Sequence, residues 1–184
     1  LNKGDGLFVE RHVVGNYTLD GVAPNDQVIF FATGTGEAPH NAMICDLLSR
    51  GHTGPIACVT CVRHRHDLGY IEQHRMLEQQ FANYRYIPLT TREPENLDPS
   101  LPDYVGKMYV QEFLTSGRFE RDSGITLNPR NTHAFLCGNP GMIGYRAHSK
   151  PSEATHGMLQ ALQDRGFEYA GSDKVGKIRF EKYW

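Results

Sequence analysis

The sequence predicts an α/β fold, a doubly wound parallel sheet of five strands with helices on both faces, preceded by a short β segment. Three observations carry that expectation. From Gln27 onward, short apolar runs alternate with stretches whose apolar residues recur at helical spacing, the pattern of parallel strands joined by helical crossovers. The first crossover opens on Thr33-Gly34-Thr35-Gly36-Glu37-Ala38-Pro39, a glycine turn between a strand and a helix. Polar, glycine-bearing or basic stretches also follow the second, third and fourth strands, and in such sheets ligands sit beyond the C-terminal strand ends.

The elements follow in order. The apolar run Val28 to Ala32 predicts a strand over 27–32. Ala42, Met43, Cys45, Leu47 and Leu48 then predict a helix over 38–50, opened by Pro39 and closed at Gly51. A strand over 55–62 follows, then a helix over 67–82 carrying Tyr70, Ile71, Leu77 and Phe81, with Asp67 as its N-cap. Tyr84 to Thr90 reads as a strand that Pro88 confines to a sheet edge. Residues 91–103, rich in Pro, Glu and Asp, read as a loop before a helix over 104–116 that ends at Gly117. A strand over 132–137, a helix over 152–165 opened by Pro151-Ser152, and a strand over 177–183 complete the pattern. Residues 1–24 stand outside it. Leu7-Phe8-Val9 and Tyr17-Thr18-Leu19 are short β-like runs that cannot hold together alone in water. They read as the tail of a preceding β domain, or as a strand pair packed on the main sheet, which leaves 25–184 as the α/β domain.

Composition narrows the function classes. A formal charge of −2 lacks the basic excess of a nucleic-acid binder. No run approaches the length of a membrane span, and the first residues carry no apolar secretory core. The chain begins without methionine and reads as a piece of a longer polypeptide. Cys58 and Cys61 resemble a metal or redox pair on paper, but their odd separation in a strand sends the thiols to opposite faces. Buried, reduced cysteines in a cytoplasmic protein are the expected outcome.

The strand ends hold the chemistry. A strand, a tight glycine turn and a helix N-terminus aim backbone N–H groups at an anion, and the hydroxyls of Thr33 and Thr35 add donors. The turn is no P-loop, since no Gly-Lys-Ser/Thr follows, and it lacks the third glycine of the dinucleotide fingerprint. Arg63-His64-Arg65-His66 follows the second strand and Thr90-Thr91-Arg92 the third. Arginine at these ends suits a ribose 2′-phosphate, whereas a carboxylate would suit a free 2′-hydroxyl, so the nucleotide favoured is NADP. No Cys or Glu stands at a spacing that would make His64 and His66 metal ligands. Cys137-Gly138-Asn139-Pro140-Gly141-Met142 puts a thiol at the end of the fourth strand, followed by a turn.

Together these residues resemble the nicotinamide-binding half of ferredoxin–NADP⁺ reductases. Thr33-Gly34-Thr35-Gly36-x-Ala38-Pro39 is similar to that family's pyrophosphate turn. Thr91-Arg92, with Lys107-Met108-Tyr109-x-Gln111, resembles the 2′-phosphate and adenine site of the plant-type members. Cys137-Gly138-Asn139-Pro140-x-Met142 resembles the nicotinamide-side motif of bacterial members. The ending Glu181-Lys182-Tyr183-Trp184 is similar to bacterial reductases in which an aromatic ring covers the flavin. The chain departs from the family at Glu37 and His40, where aliphatic and aromatic residues are usual, and segment 143–176 carries no residue across. The upstream flavin-binding motifs, Arg-x-Tyr-Ser and a Gly-x-x-Ser/Thr stretch, are missing. The resemblance makes 1–24 the last strands of an FAD-binding barrel.

The resemblance implies hydride transfer from the nicotinamide to FAD, then single-electron exchange with ferredoxin or flavodoxin. Cys137 would abut the nicotinamide, Glu181 would polarise that region or relay a proton, Tyr183 would lie on the isoalloxazine, and Trp184 would pack elsewhere on FAD. Alone, this piece is expected to be inactive. The alternatives are another FAD-dependent reductase feeding a monooxygenase, or a nucleotide-binding module without turnover.

Overall fold

The computed structural model describes residues 2, 4–6, 8, 15–144, 157–169 and 176–183. Five strands form one parallel sheet in the order β3-β2-β1-β4-β5, where β1 is Gln27–Thr33, β2 Ile56–Val62, β3 Tyr84–Thr90, β4 Thr132–Gly138 and β5 Ile178–Lys182. The chain steps outward from β1 to β3, then crosses back to start β4 on the other side. The switch point therefore lies between β1 and β4. β3 sits at the edge, where Pro88 costs no ladder bond inside the sheet.

Alternating residues of the central strands feed two cores. Ile29, Phe31, Val59, Cys61 and Leu136 face one side, with Phe113 and Leu114 of α4 (Val110–Thr115), Phe119 of α5 (Arg118–Ser123) and Leu162 of α7 (Met158–Gln163) packed on it. Val28, Phe30, Cys58 and Phe135 face the other, covered by Ile44, Leu47 and Leu48 of α1 (Glu37–Ser49) and, at its margin, by Ile71 and Leu77 of α2 (Ile71–Gln80). Cys58 and Cys61 thus lie on opposite faces, and all four cysteines are free. At the N-terminal strand ends, Asp26 Oδ2 stands 2.9 Å from His133 Nε2 and 3.7 Å from Lys177 Nζ. This cluster ties β1, β4 and β5 together on the side away from the glycine turn.

Several elements differ from the sequence expectation. Asp67 caps no helix. Its carboxylate accepts from the His64 backbone N–H at 3.0 Å and closes a 3₁₀ turn, Arg65–Asp67, so α2 starts at Ile71. The expected loop over 91–103 contains a helical turn, α3 (Pro94–Leu97), opened by Pro94 with Glu93 and Asn96 capping each other. The helix expected over 104–116 begins only at Val110. Gly106 takes φ +73°, outside the helical region, and its carbonyl accepts from the Asn96 side chain at 3.0 Å. Gly117, at φ +75°, ends α4 and starts α5, which the sequence reading did not anticipate. Pro140 opens a further short helix, α6 (Pro140–Ile143). Of the helix expected over 152–165, residues 152–156 lie outside the described residues.

Leu7 and Val9 also lie outside the described residues. Tyr17 and Leu19 form no strand but pack on the core face that α1 covers. The Tyr17 ring meets Phe135 edge-on at 5.7 Å, and its hydroxyl stands 2.6 Å from His40 Nε2. His40 is fully buried, and burial holds its imidazole down to about 3. An unfolded histidine titrates near 6.5, so below that pH the unfolded chain binds a proton that the folded chain refuses. Stability from this group is complete above pH 6.5 and is lost as pH falls toward 3, by about 1.4 kcal/mol per pH unit. Between pH 7.0 and 4.5, urea unfolding should therefore show the wild type losing roughly 2–3 kcal/mol more than His40→Phe. Equal losses would mean that His40 does not titrate as its burial demands.

Candidate functional site

At the C-terminal strand ends lies a cleft of about 910 Å³, within the size of small-molecule sites. The glycine turn forms its floor. Gly34–Gly36 make one 3₁₀ turn that runs directly into α1 at Glu37, so Pro39 is the third helical residue rather than the first. Gly34 adopts φ +53° beside open space. Gly36 has an ordinary φ of −61° and is needed for another reason. A Cβ there would lie 2.2 Å from the Cys137 carbonyl oxygen. Gly138, at φ +128°, likewise leaves no room for a Cβ beside Thr33. The Thr33 hydroxyl accepts from Asn139 N–H at 2.8 Å, locking the ends of β1 and β4. Asn139 then caps α6 by accepting from Gly141 N–H at 2.7 Å. Pro140 contributes no N–H, as expected for the first position of a helix.

The wall opposite is basic. The backbone N–H groups of Thr91 and Arg92 donate to the Arg63 carbonyl at 3.3 and 2.9 Å, binding the loops after β2 and β3 into one unit. Both Arg63 and Arg92 line the cleft, exposed, and among the described residues neither guanidinium has an acidic partner. Arg65 differs. It is paired with Glu95 and its backbone N–H meets Glu93, so its charge is spent outside the cleft. Thr91 lines the cleft but is buried, and its hydroxyl donates to the Val62 carbonyl at 3.2 Å. Tyr109 and Gln111 complete this side. Tyr109 sits at the α4 N-terminus with half its surface exposed, because the helix begins only at Val110.

Of the residues singled out in the sequence, Thr33, Gly34, Thr35, Arg63, Thr91, Arg92, Tyr109, Gln111, Asn139 and Met142 share this cleft. Lys107 is exposed two residues before Tyr109 but does not line it, nor do Gly36, Pro39, Gly138 or Pro140. Cys137, Glu181 and Tyr183 gather beside β4 instead. Cys137 pairs with Glu181 in the β4–β5 register, and Tyr183 N–H donates to the Gly138 carbonyl at 3.1 Å. The Cys137 thiol is fully buried rather than open at the sheet's mouth. Burial pushes it to about 11 despite a hydrogen bond with Tyr183, so it stays protonated at neutral pH. Burial and then the neighbouring Cys137 push the Tyr183 hydroxyl to about 12. Trp184 lies outside the described residues.

Glu37 and Tyr70 also line the cleft and were not expected to. Tyr70 reads in the sequence as one more apolar position of a helix. Glu37 carries a signal, a carboxylate beside a turn built for anions. The structure turns it inward, 3% exposed. Its Oε1 accepts from Thr60 Oγ1 at 3.1 Å and from Tyr86 OH at 2.6 Å, and stands 3.2 Å from His74 Nε2. Burial alone would raise the Glu37 carboxyl, but contacts from His74, Tyr86 and Thr60 outweigh it and hold the group below the usual carboxylate range.

Sheet and cleft define a doubly wound α/β domain whose switch point is shaped and charged for a phosphorylated ligand. The chain belongs to the oxidoreductase NAD-binding domain family, whose sequence profile matches residues 30–148. It is 27% identical over 185 residues to a flavodoxin/ferredoxin–NADP reductase of Buchnera aphidicola subsp. Schizaphis graminum, covering 100% of this chain and 65% of that protein. It is 28% identical over 152 residues to a ferredoxin–NADP reductase of Pseudomonas aeruginosa, covering 78% of this chain and 55% of that one. Among solved structures, a ferredoxin NADP⁺ reductase from Neisseria gonorrhoeae with bound FAD and NADP shares the fold with a TM-score of 0.70. That match covers 92% of this chain and 61% of the other at 20% identity. The chain thus spans between 55% and 65% of these proteins. Among the described residues no helix is long and apolar enough to cross a membrane.

The two turn glycines separate conformation from close approach. Gly36→Ala forces a methyl group into the β4 backbone and should cost roughly 2–3 kcal/mol or more in urea unfolding. Gly34→Ala carries only the strain of a left-handed φ, about 1–2 kcal/mol. A smaller cost at Gly36 than at Gly34 would contradict the packing of β1 on β4.

Proposed function

We propose that this chain is the NADP(H)-binding part of a ferredoxin or flavodoxin–NADP⁺ reductase, serving hydride transfer between NADPH and FAD with one-electron exchange to an iron–sulfur or flavin protein. The observation that carries the reading is the pair of unpaired guanidiniums, Arg63 and Arg92, lining one cleft with the glycine turn and with Tyr109 at the start of α4. The turn and the α1 N-terminus receive the pyrophosphate. Arg63 and Arg92 take the 2′-phosphate, where bidentate contacts suit a dianion, and Lys107 adds a longer-range charge from the rim. Thr91 acts by holding Arg92 in place, since its own hydroxyl is committed to the Val62 carbonyl. Tyr109 stacks on adenine, with Gln111 beside it.

Asn139 and Met142 line the nicotinamide end of the cleft. FAD, when bound, supplies the step from a two-electron hydride to single electrons. The residues available to it here are Tyr183 and Trp184 at the chain's end. Tyr183 is half-buried, with its backbone held on Gly138, and offers a ring of the kind that stacks with an offset. Cys137 contributes shape against the nicotinamide, and exposed Glu181 offers a carboxylate beside it for holding a proton. Relatives in which the domain sits in a longer reductase support a role for 1–24 as the end of an upstream FAD-binding barrel. The four free thiols fit a reducing cytoplasm.

Titration of the chain with NADP⁺ and NAD⁺ tests the reading. The wild type should prefer NADP⁺. Arg92→Ala should weaken NADP⁺ by about 10- to 100-fold, the loss of charged hydrogen bonds of roughly 1.5–3 kcal/mol, while NAD⁺ changes little. Equal weakening of both would remove Arg92 from the 2′-phosphate site.

A further inference from the structure

The proposed function gives Glu37 no task, yet it is the most heavily bonded side chain at the cleft. Burying a carboxylate is costly unless donors surround it. Here Thr60 on β2 and Tyr86 on β3 both donate to the same oxygen, Oε1, and His74 on α2 places its Nε2 3.2 Å from that oxygen as an ion-pair contact without hydrogen-bond alignment. The assembly extends one layer further, because His74 Nδ1 stands 2.7 Å from the Tyr84 hydroxyl. A Tyr84 hydroxyl donating to Nδ1 leaves the ring proton on Nε2, the nitrogen nearer Glu37. The His74 ring also stacks on Tyr86 at 4.1 Å, fixing the two side chains against each other. His74 is wholly buried.

Glu37 is the first residue of α1 and follows Gly34–Gly36 without a spacer. Its N–H reaches back to the Gly34 and Thr35 carbonyls. The side chain is thereby gripped by β2, β3 and α2 while the backbone closes the turn. A glycine turn with open space around Gly34 is loose by composition. An aliphatic side chain at this position would pack without direction, whereas two directed donors and an adjacent imidazole fix one orientation. Ordering a loose turn on binding subtracts from affinity, so ordering it in advance adds to it.

We propose that Glu37 is a positioning residue for dinucleotide binding: held by Thr60, Tyr86 and His74, it tethers the glycine turn in the orientation that receives the pyrophosphate. The inference rests on the nucleotide reading above. It acts on the pyrophosphate end of the cleft and leaves the basic wall around Arg63 and Arg92 untouched, which makes the two ends separable by ligand.

Titration calorimetry of the chain with NADP⁺ and with adenosine 2′-monophosphate, which carries the 2′-phosphate but no pyrophosphate, reads that separation. Glu37→Ala should weaken NADP⁺ about tenfold or more and 2′-monophosphate by less than about twofold. Glu37→Gln keeps an oxygen for the Thr60 and Tyr86 hydroxyls to address and should return NADP⁺ to within about threefold of wild type. A Glu37→Ala variant that binds NADP⁺ as well as wild type overturns the tether. So does one that loses both ligands equally, or failure of Glu37→Gln to restore binding. Should Glu37→Ala not fold, Thr60→Val removes one donor at nearly constant volume and should weaken NADP⁺ by about threefold with 2′-monophosphate unchanged. No change there also overturns the tether. A wild-type chain that binds neither ligand removes the nucleotide reading itself, a result distinct from a tether that fails in a chain that binds both.

Discussion

The cleft exists because β1 and β4 approach so closely at their C-terminal ends that only glycine fits between them. The Cys137 carbonyl oxygen occupies the space where a Gly36 Cβ would lie, and Thr33 occupies the corresponding space at Gly138. The hydroxyl of Thr33 then crosses to Asn139 N–H. The two flanks of the glycine turn, Thr33 and Gly36, are therefore held against the turn after β4, on strands that are 105 positions apart in sequence at the paired residues Gln27 and Thr132, while Gly34 between them stays in open space. Parallel pairing makes this possible, since it brings two strand-to-helix turns to the same end of the sheet. The reverse order of strands on either side of β1 does the rest, opening a crevice that no crossover covers.

The other wall is set by a different device. Backbone bonds from Thr91 and Arg92 to the Arg63 carbonyl make the loops after β2 and β3 move together. Each loop ends with one cation facing the cleft, while the acidic residues of α3 are occupied elsewhere. Glu95 takes Arg65, and its carbonyl accepts from Val105 and Gly106 to hold the extended segment that leads to Tyr109. Removing Arg65 from the cleft by pairing, and leaving Arg63 and Arg92 without partners, concentrates positive potential where an anion would enter. The one carboxylate at the turn is turned away from it and surrounded by donors. Electrostatic selection here depends on which charges are left unpaired as much as on how many there are.

The sheet was legible in the sequence because its strands are apolar runs cut by glycine, proline and charge, and buried parallel strands leave that trace. The helical boundaries after β3 were not. A periodic pattern over 104–116 hides the left-handed break at Gly106: Met108, Val110, Phe113 and Leu114 after it reach the core, whereas Tyr104 and Val105 before it are exposed. The glycine turn was legible as a turn, but the reason for Gly36 was hidden, since it is set by a carbonyl about 100 residues away. Arg63 and Arg65 are indistinguishable in a line of sequence; Glu95, thirty residues on, separates them. For the same reason Glu37 read as an anomaly. Its two donors lie 23 and 49 positions downstream and the imidazole beside it 37, and only folding shows that they meet.

At the place proposed for the nicotinamide, protonation decides what Cys137 can do. A thiolate would be a nucleophile and would carry charge toward that site, and its surroundings deny it both roles. The thiol is buried, its neighbour across the β4–β5 register is the carboxylate Glu181, and its hydrogen-bonding partner is a tyrosine itself pushed to about 12. Burial and the Glu181 carboxylate favour the neutral sulfur and outweigh the Tyr183 hydrogen bond, which pulls the other way. A neutral, polarizable atom there offers packing rather than charge to the site proposed for the nicotinamide. The same burial fixes the backbone of Cys137, whose carbonyl sets how closely the glycine turn approaches. If the nicotinamide and pyrophosphate ends lie where we propose, the residue beside the first also sets the position of the second, and the two halves of a dinucleotide would be registered against one strand.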